Sequence, residues 1–335
     1  MNITLLGCGR WGSFIAWYID SIKHNNVMVW GRYNDPLLDN LIKTRKNDYV
    51  EFPESIQLTH DLTKALNHSE IIIISISAQG VRDLMSHVSQ IPSYKNKTFV
   101  LCMKGIEDNT GKRLSEVLIE NGVDKNKIAV WVGPGHIQEF TRMVPNCMII
   151  DSHNLELTKY LASNFSSSLI RFYMGNDIIG TEIGAGAKNV MGVGAGMLDG
   201  LGYSVLKGAL MARGAHEVSQ LIKAKGGNEL SAYGLCHLGD YEATLFSPHS
   251  HNRRFGEMFV KGEPFTKLAE GVATTKAMLK MAKELNLELP ITQAIHNILN
   301  NHCEPKQILE ELFNRETKKN LIKFKNKKQL KTILK

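Results

Sequence analysis

The chain has 335 residues, 43% of them apolar and 22% charged, which is the make-up of an ordinary globular protein long enough for two domains. No apolar run approaches bilayer length, and the start carries neither a basic n-region nor a small-residue cleavage site, so no transmembrane segment is expected and the cytoplasm is the expected location. The formal charge of +7 sits at one end: residues 315–335 hold eight lysines and Arg315 against the single acid Glu316, so the body is near neutral, the tail reads as a solvated helix end, and no specific nucleic-acid partner is expected. Five cysteines, odd in number and without a C-x-x-C pair, point to reduced thiols, and twelve histidines without H-E-x-x-H spacing point to no metal.

The first stretch organises the rest of the chain. Ile3-Thr4-Leu5-Leu6 reads as a buried strand that breaks into Gly7-Cys8-Gly9-Arg10-Trp11-Gly12 and continues as a helix from Ser13 to Ile19. In such a strand-turn-helix, Gly7 makes the turn, Gly9 admits a pyrophosphate close to the backbone, and Gly12 lets helix and strand pack. The phosphates then meet the unpaired N–H groups and positive dipole end of the helix. The context therefore predicts a dinucleotide site. Val27–Trp30 is the second strand and ends at Gly31-Arg32, where an acid would bind the ribose 2′-hydroxyl. Arg32 suits the 2′-phosphate of NADP instead, so NADPH should be usable, with NAD as the alternative.

Further strands are expected at 56–59, 71–75, 98–103 and 128–132, with helices at 61–67 and 81–88. Lys104 follows a parallel strand at its carboxyl end, in the crevice where such sheets bind ligands. The strand at 128–132 opens into Gly133-Pro134-Gly135-His136. Strands at 147–150 and 169–173 complete the sheet with antiparallel additions at its edge. From Asp177 onward long Gly/Ala-rich helical patterns take over. The expected fold is a doubly wound, mostly parallel α/β Rossmann domain over residues 1–180, followed by an all-α domain over 181–335 that includes the basic tail.

Lys188 is the one charge between Ile183 and Leu198. Inside an apolar helix it is either desolvated, with a pKa lowered toward neutrality, or a snorkelling surface residue. Asp240 follows a glycine turn and is placed to pair with Lys188, and Ser250-His251-Asn252-Arg253-Arg254 is a cationic loop suited to phosphate. Glu270 opens a helix that can reach the cofactor.

Taken in order, the Gly7–Gly12 turn with Trp11, Lys104-Gly105-Ile106-Glu107, Gly186-Ala187-Lys188-Asn189-Val190, Asp199-Gly200-Leu201-Gly202, Arg213-Gly214, Leu238-Gly239-Asp240 and Asn252-Arg253-Arg254-Phe255-Gly256 resemble the bacterial NAD(P)-dependent glycerol-3-phosphate dehydrogenases over residues 1 to about 314. The resemblance implies reversible reduction of dihydroxyacetone phosphate to sn-glycerol 3-phosphate for phospholipid synthesis. It implies Lys188 as acid/base, with Lys104 and Asp240 in the catalytic group. Around the substrate it implies Gly133, Gly135, Asn189, Ser250, His251, Asn252 and Arg253. Around the cofactor it implies Gly7, Gly9, Arg10, Trp11, Gly12, Arg32, Lys104, Ile137, Arg253 and Glu270. The chain departs from the family pattern in three places. Arg10 stands for a serine, Gly135-His136-Ile137 for Ser-Phe-Ala, and His251 for the arginine after the phosphate-loop serine. Two other readings remain open at this point: a related reductase of a carboxylate substrate, of the 2-dehydropantoate or β-hydroxyacid type, and a nonenzymatic dinucleotide-binding sensor. A homodimer is admitted but not fixed.

Overall fold

The computed structural model describes residues 1–301 and 303–315, so the lysine-rich segment beyond Arg315 lies outside the described residues. Where apolar side chains alternate or run unbroken the chain forms β1 (Asn2–Leu6), β2 (Asn26–Trp30), β3 (Gln57–Thr59), β4 (Ile71–Ile74), β5 (Thr98–Leu101), β6 (Ile128–Val132), β7 (Asn146–Ser152) and β8 (Ile170–Met174). They build one sheet in the order β3-β2-β1-β4-β5-β6-β7-β8. Neighbours from β3 through to β6 are parallel, β7 is antiparallel to β6, and β8 is parallel to β7. The period of two divides the core into layers: Ile3 and Leu5 join Phe14, Ile15 and Trp131 on one face, while Leu6, Ile72 and Ile74 join Val81 and Leu118 on the other.

The sheet is covered by α1 (Arg10–Trp17), α2 (Pro36–Thr44), α3 (Leu62–His68), α4 (Val81–Val88), α5 (Leu114–Glu120), α6 (Ile137–Thr141) and α7 (Leu155–Phe165). Asp35, Asp61 and Asn154 cap α2, α3 and α7 by accepting first-turn N–H groups. The sequence reading assigns no helix to α2, α5, α6 or α7. Their apolar stripes are brief, as in α5, where only Leu114, Val117 and Leu118 supply the buried hydrophobic face.

Strand order reverses between β1 and β4, and the crevice at the carboxyl ends of these strands is where a doubly wound sheet receives its ligand. The glycine turn closes one side of it. Gly7 adopts φ +114°, and a Cβ there would lie 2.3 Å from the Ser75 carbonyl oxygen; a Cβ on Gly12 would lie 2.3 Å from the Gly7 carbonyl oxygen. Only glycine permits α1 to fold back this tightly.

The remaining helices are α8 (Ile178–Gly200), α9 (Lys207–Ala224), α10 (His251–Lys261), α11 (Glu270–Glu284), α12 (Pro290–Asn300) and α13 (Pro305–Phe313). Helix α8 is buried along nearly its whole length, and α9, α10, α11 and α12 pack around it. Near its start it is fixed to the sheet half by Glu182, which pairs with Arg113 Nη1 at 2.7 Å and accepts from the Ser115 N–H at 2.9 Å. Against α10 the two backbones touch: a Cβ on Gly196 would lie 1.8 Å from the Arg253 carbonyl oxygen, and one on Gly256 would lie 2.1 Å from that of Val193. This contact sets where the start of α10 stands relative to Lys188. No helix among the described residues is long and apolar enough to cross a membrane.

Gly196→Ala is expected to destabilise the protein by about 1–3 kcal/mol despite alanine's better helix propensity, because the added methyl forces two backbones apart. The urea midpoint measures this, and an unchanged or raised midpoint would mean that the α8–α10 contact is not close-packed.

Candidate active site

Lys188 projects from the middle of α8 and is 7% exposed. Its Nζ donates to Thr244 Oγ1 at 2.7 Å and lies 3.0 Å from Asp240 Oδ2. Lys104, just beyond β5, reaches the same carboxylate oxygen at 2.7 Å and donates to the Gly133 carbonyl at 2.5 Å. One buried carboxylate thus holds two ammonium groups, one from the sheet half and one from the helical half. Burial pushes the Lys188 pKa down to about 8, helped by the Lys104 charge and opposed by Asp240. The group can therefore exchange a proton near neutral pH, which favours the desolvated reading of this lysine over the snorkelling one.

The segment carrying Asp240 is itself locked. His237 is fully buried, with Nδ1 2.9 Å from the Gly184 carbonyl and Nε2 2.6 Å from the Tyr241 hydroxyl. Burial pushes the imidazole pKa to about 4, so it is neutral and bridges α8 to the Asp240 turn. Asn189, one residue past Lys188, donates to the Lys104 carbonyl at 2.6 Å and ties the two lysine-bearing segments together.

Around this centre stand most of the residues singled out from the sequence. Helix α1 has Gly9 as its N-cap and no side chain capping its first turn, and a Cβ on Gly9 would meet nothing within 4 Å. First-turn N–H groups without a side-chain cap, beside a Gly9 with open space at its Cα, suit a pyrophosphate. Trp11 lies beside Lys104, whose Nζ is 6.0 Å from the indole centroid. Glu270 Oε1 accepts from the Ala78 N–H at 3.2 Å, in the turn after β4, and burial raises the pKa of this carboxyl. Buried side-chain atoms without a partner include Trp11 Nε1, Glu270 Oε2 and His136 Nε2. Such atoms are costly unless a ligand completes them, and the first two fit a dinucleotide laid along the glycine turn. Arg32 is exposed just past β2, and Ile137 is buried at the first position of α6. Gly133 and Gly135 adopt φ +137° and +136° in the turn between β6 and α6.

The stretch read as a cationic loop is instead the start of α10: Ser250 is the N-cap and accepts from the Arg253 N–H, and Asn252 Oδ1 in the first turn accepts from the Gly271 N–H at 2.9 Å. His251 faces Arg10, with Nε2 3.3 Å from the guanidinium Nη1. Arg253 is not brought to the lysine pair. Its guanidinium is held by Asp199 at 2.8 Å, Glu257 at 3.0 Å and the Ser247 carbonyl at 3.2 Å. Both carboxylates, at the end of α8 and on α10, hold it there rather than beside Lys188 and Lys104. Two residues at the site carry no role in the sequence reading. Thr244 lies four positions after Asp240, a spacing that puts both on one side of a helical turn. His136 draws notice only as a departure from a familiar pattern, and no spacing rule identifies it.

Family models for the N-terminus and the C-terminus of NAD-dependent glycerol-3-phosphate dehydrogenase match residues 2–158 and 177–310. A glycerol-3-phosphate dehydrogenase [NAD(P)+] of Prosthecochloris aestuarii is 33% identical over 335 aligned residues, covering 96% of this chain and 100% of the relative. One from a Thermoanaerobacter species is 33% identical, covering 96% and 99%. The crystal structure of glycerol-3-phosphate dehydrogenase from Coxiella burnetii superposes with a TM-score of 0.85 at 26% identity, over 94% of this chain and 99% of that one. With its two halves matched in order and its relatives matched end to end, the chain belongs to the NAD-dependent glycerol-3-phosphate dehydrogenase family.

Proposed function

We propose that this protein reversibly reduces dihydroxyacetone phosphate to sn-glycerol 3-phosphate with NADPH or NADH, and that it does so in the cytoplasm as a supplier of phospholipid head groups. The observation that carries the reading is the Asp240 carboxylate oxygen shared by Lys188 and Lys104, beside an uncapped, glycine-bounded helix start. The proposal divides the labour near residue 180: residues 1–180 hold the dinucleotide, and residues 181–335 supply Lys188, Asp240 and the start of α10 at 250–253. A homodimer is part of the same proposal, tested by light scattering.

When bound, the nicotinamide supplies or takes up the hydride. The α1 N–H groups would hold its pyrophosphate, Trp11 and Glu270 would gain partners for their buried polar atoms, and Arg32 beyond β2 would meet a 2′-phosphate. As hydride reaches the carbonyl carbon, charge grows on its oxygen, and the Lys188 ammonium gives that oxygen a proton. In the reverse direction the Lys188 amine takes the hydroxyl proton. Lys104 adds fixed positive charge in a sheltered site, where it counts for more than in water. Asp240 and Thr244 hold the Lys188 ammonium in place. No observation favours a carboxylate substrate or a nonenzymatic role.

The direct test monitors nicotinamide absorbance on addition of dihydroxyacetone phosphate, with NADPH and NADH in parallel. Oxidation of either cofactor is expected, with NADPH used efficiently if Arg32 binds the 2′-phosphate; no oxidation despite cofactor binding would overturn the reading. Lys188→Ala should lower turnover by about 10²–10⁴ while NADPH still binds. Near-native turnover in that variant would remove Lys188 from the mechanism.

The lowered pKa also sets the pH dependence. Reduction needs the ammonium, so its kcat/KM should be full below about pH 8 and fall above it, whereas oxidation needs the amine and should rise through the same pH. Profiles in both directions check the opposed signs. Asp240→Asn leaves two ammonium groups facing each other without a counter-charge, and a stability loss of about 3–5 kcal/mol is expected in urea unfolding.

A further inference from the structure

Arg10 is the first residue of α1, and its side chain leaves the glycine turn for the start of α10. Nη1 lies 3.3 Å from His251 Nε2, and the guanidinium carbon lies 5.6 Å from the centroid of the Tyr49 ring. Among the described residues no carboxylate comes within ion-pair distance of it, and no partner besides His251 takes its N–H groups. A half-buried guanidinium is rarely left in this state, since removing its water without a counter-charge is costly. The neighbouring cations at the start of α10 do not share its position: Arg253 is consumed by Asp199 and Glu257, and Arg254 is exposed.

The surroundings are short of negative charge. His136 Nε2 is buried without a partner. The charges that act on this imidazole are three cations, Arg10, Lys188 and Lys104, against the one carboxylate of Asp240, and with burial they push its pKa to about 4. His251 is likewise held below its ordinary value by burial, Arg10, Lys267 and Arg254, against a backbone hydrogen bond at Leu268. Three segments from both halves of the fold thus converge with an excess of positive charge: the glycine turn, the β6–α6 turn and the first turn of α10.

We propose that Arg10, braced by His251 across the junction, binds the phosphate group of the substrate and supplies the guanidinium that the start of α10 does not. Arg10 offers the planar fork of donors that matches phosphate oxygens, and its unpartnered N–H groups remain available for it. The inference deepens the proposed function and rests on its assignment of a triose phosphate to the Lys188 cleft. The other source of the same chemistry is the cofactor pyrophosphate, whose place is the backbone of the turn rather than the side chain of Arg10.

The test uses the full-length protein with Arg10→Ser, Arg10→Lys and the double variant Arg10→Ser/His251→Arg, each checked by thermal melting. Three quantities are read: KM for dihydroxyacetone phosphate, Kd for NADPH by fluorescence, and calorimetric affinity for inorganic phosphate in the NADPH complex. Arg10→Ser should raise KM and weaken inorganic phosphate by about 10–100-fold, the effect of losing one or two charged hydrogen bonds, with NADPH affinity held within about threefold. Arg10→Lys should recover part of the loss, and the double variant most of it, by returning a guanidinium to the other side of the same contact. Unchanged KM and phosphate affinity in Arg10→Ser overturn the proposal. Weakened NADPH binding with unchanged KM also overturns it, by assigning Arg10 to the pyrophosphate. Because phosphate affinity is read without turnover, an Arg10-dependent phosphate site in a protein that does not reduce dihydroxyacetone phosphate would sustain the phosphate site while sinking the proposed function.

Discussion

Everything in the cleft depends on one buried carboxylate oxygen that receives two ammonium groups. Two cations this close repel, and both lose hydration, so neither would remain without Asp240 between them. The arrangement is stable because each participant is held by something else. Lys104 is tied to the Gly133 carbonyl, Lys188 to Thr244, and the Asp240 turn to α8 through His237 and Tyr241. Asn189 closes the circuit by bonding the Lys104 backbone. The same contact joins the sheet half to the helical half and, by favouring the ammonium, limits how far burial and the Lys104 charge lower the proton affinity of Lys188.

Close backbone approach is the second constraint. The sheet half uses it where α1 folds onto β1, the helical half where α10 crosses α8. In both places glycine gives up helix or strand propensity so that main chains touch, and each approach brings a functional segment into range. The first leaves first-turn N–H groups without a side-chain cap, and the second sets the start of α10 opposite the glycine turn. Burial of α8 on all sides then explains why a single lysine in its middle is desolvated rather than drawn out to water.

Electrostatics separates two kinds of positive charge that composition lumps together. The lysines from 318 onward account for the basic balance of the chain, yet they lie outside the described residues and far along the sequence from the motifs. The charge that bears on chemistry is the small local excess formed by Arg10, Lys104 and Lys188 against Asp240. A phosphate ester is the complement of such a site, whereas the carboxylate-rich surface around Arg253 neutralises itself.

The sequence by itself determined the fold class and much of the site's membership. The β-branched run Ile71–Ile74 reads as a buried parallel strand, a glycine turn between strand and helix reads as a dinucleotide site, and a lone charge in an apolar helix singles out Lys188 while leaving its desolvated and snorkelling readings both open. These are local patterns, fixed by periodicity and by what a Cβ permits. Short helices are unevenly legible: α4 buries Val81, Leu84, Met85 and Val88 at helical spacing and is read from the sequence, whereas α5 buries only Leu114, Val117 and Leu118 as apolar residues and is not. Tertiary structure alone decided the pairings: Lys104 with Asp240 across 136 positions, Arg10 with His251 across 241, and Arg253 away from the cleft toward Asp199. A side chain's partner depends on which carboxylate or imidazole the fold brings nearest, and composition and spacing along a chain carry no record of that distance.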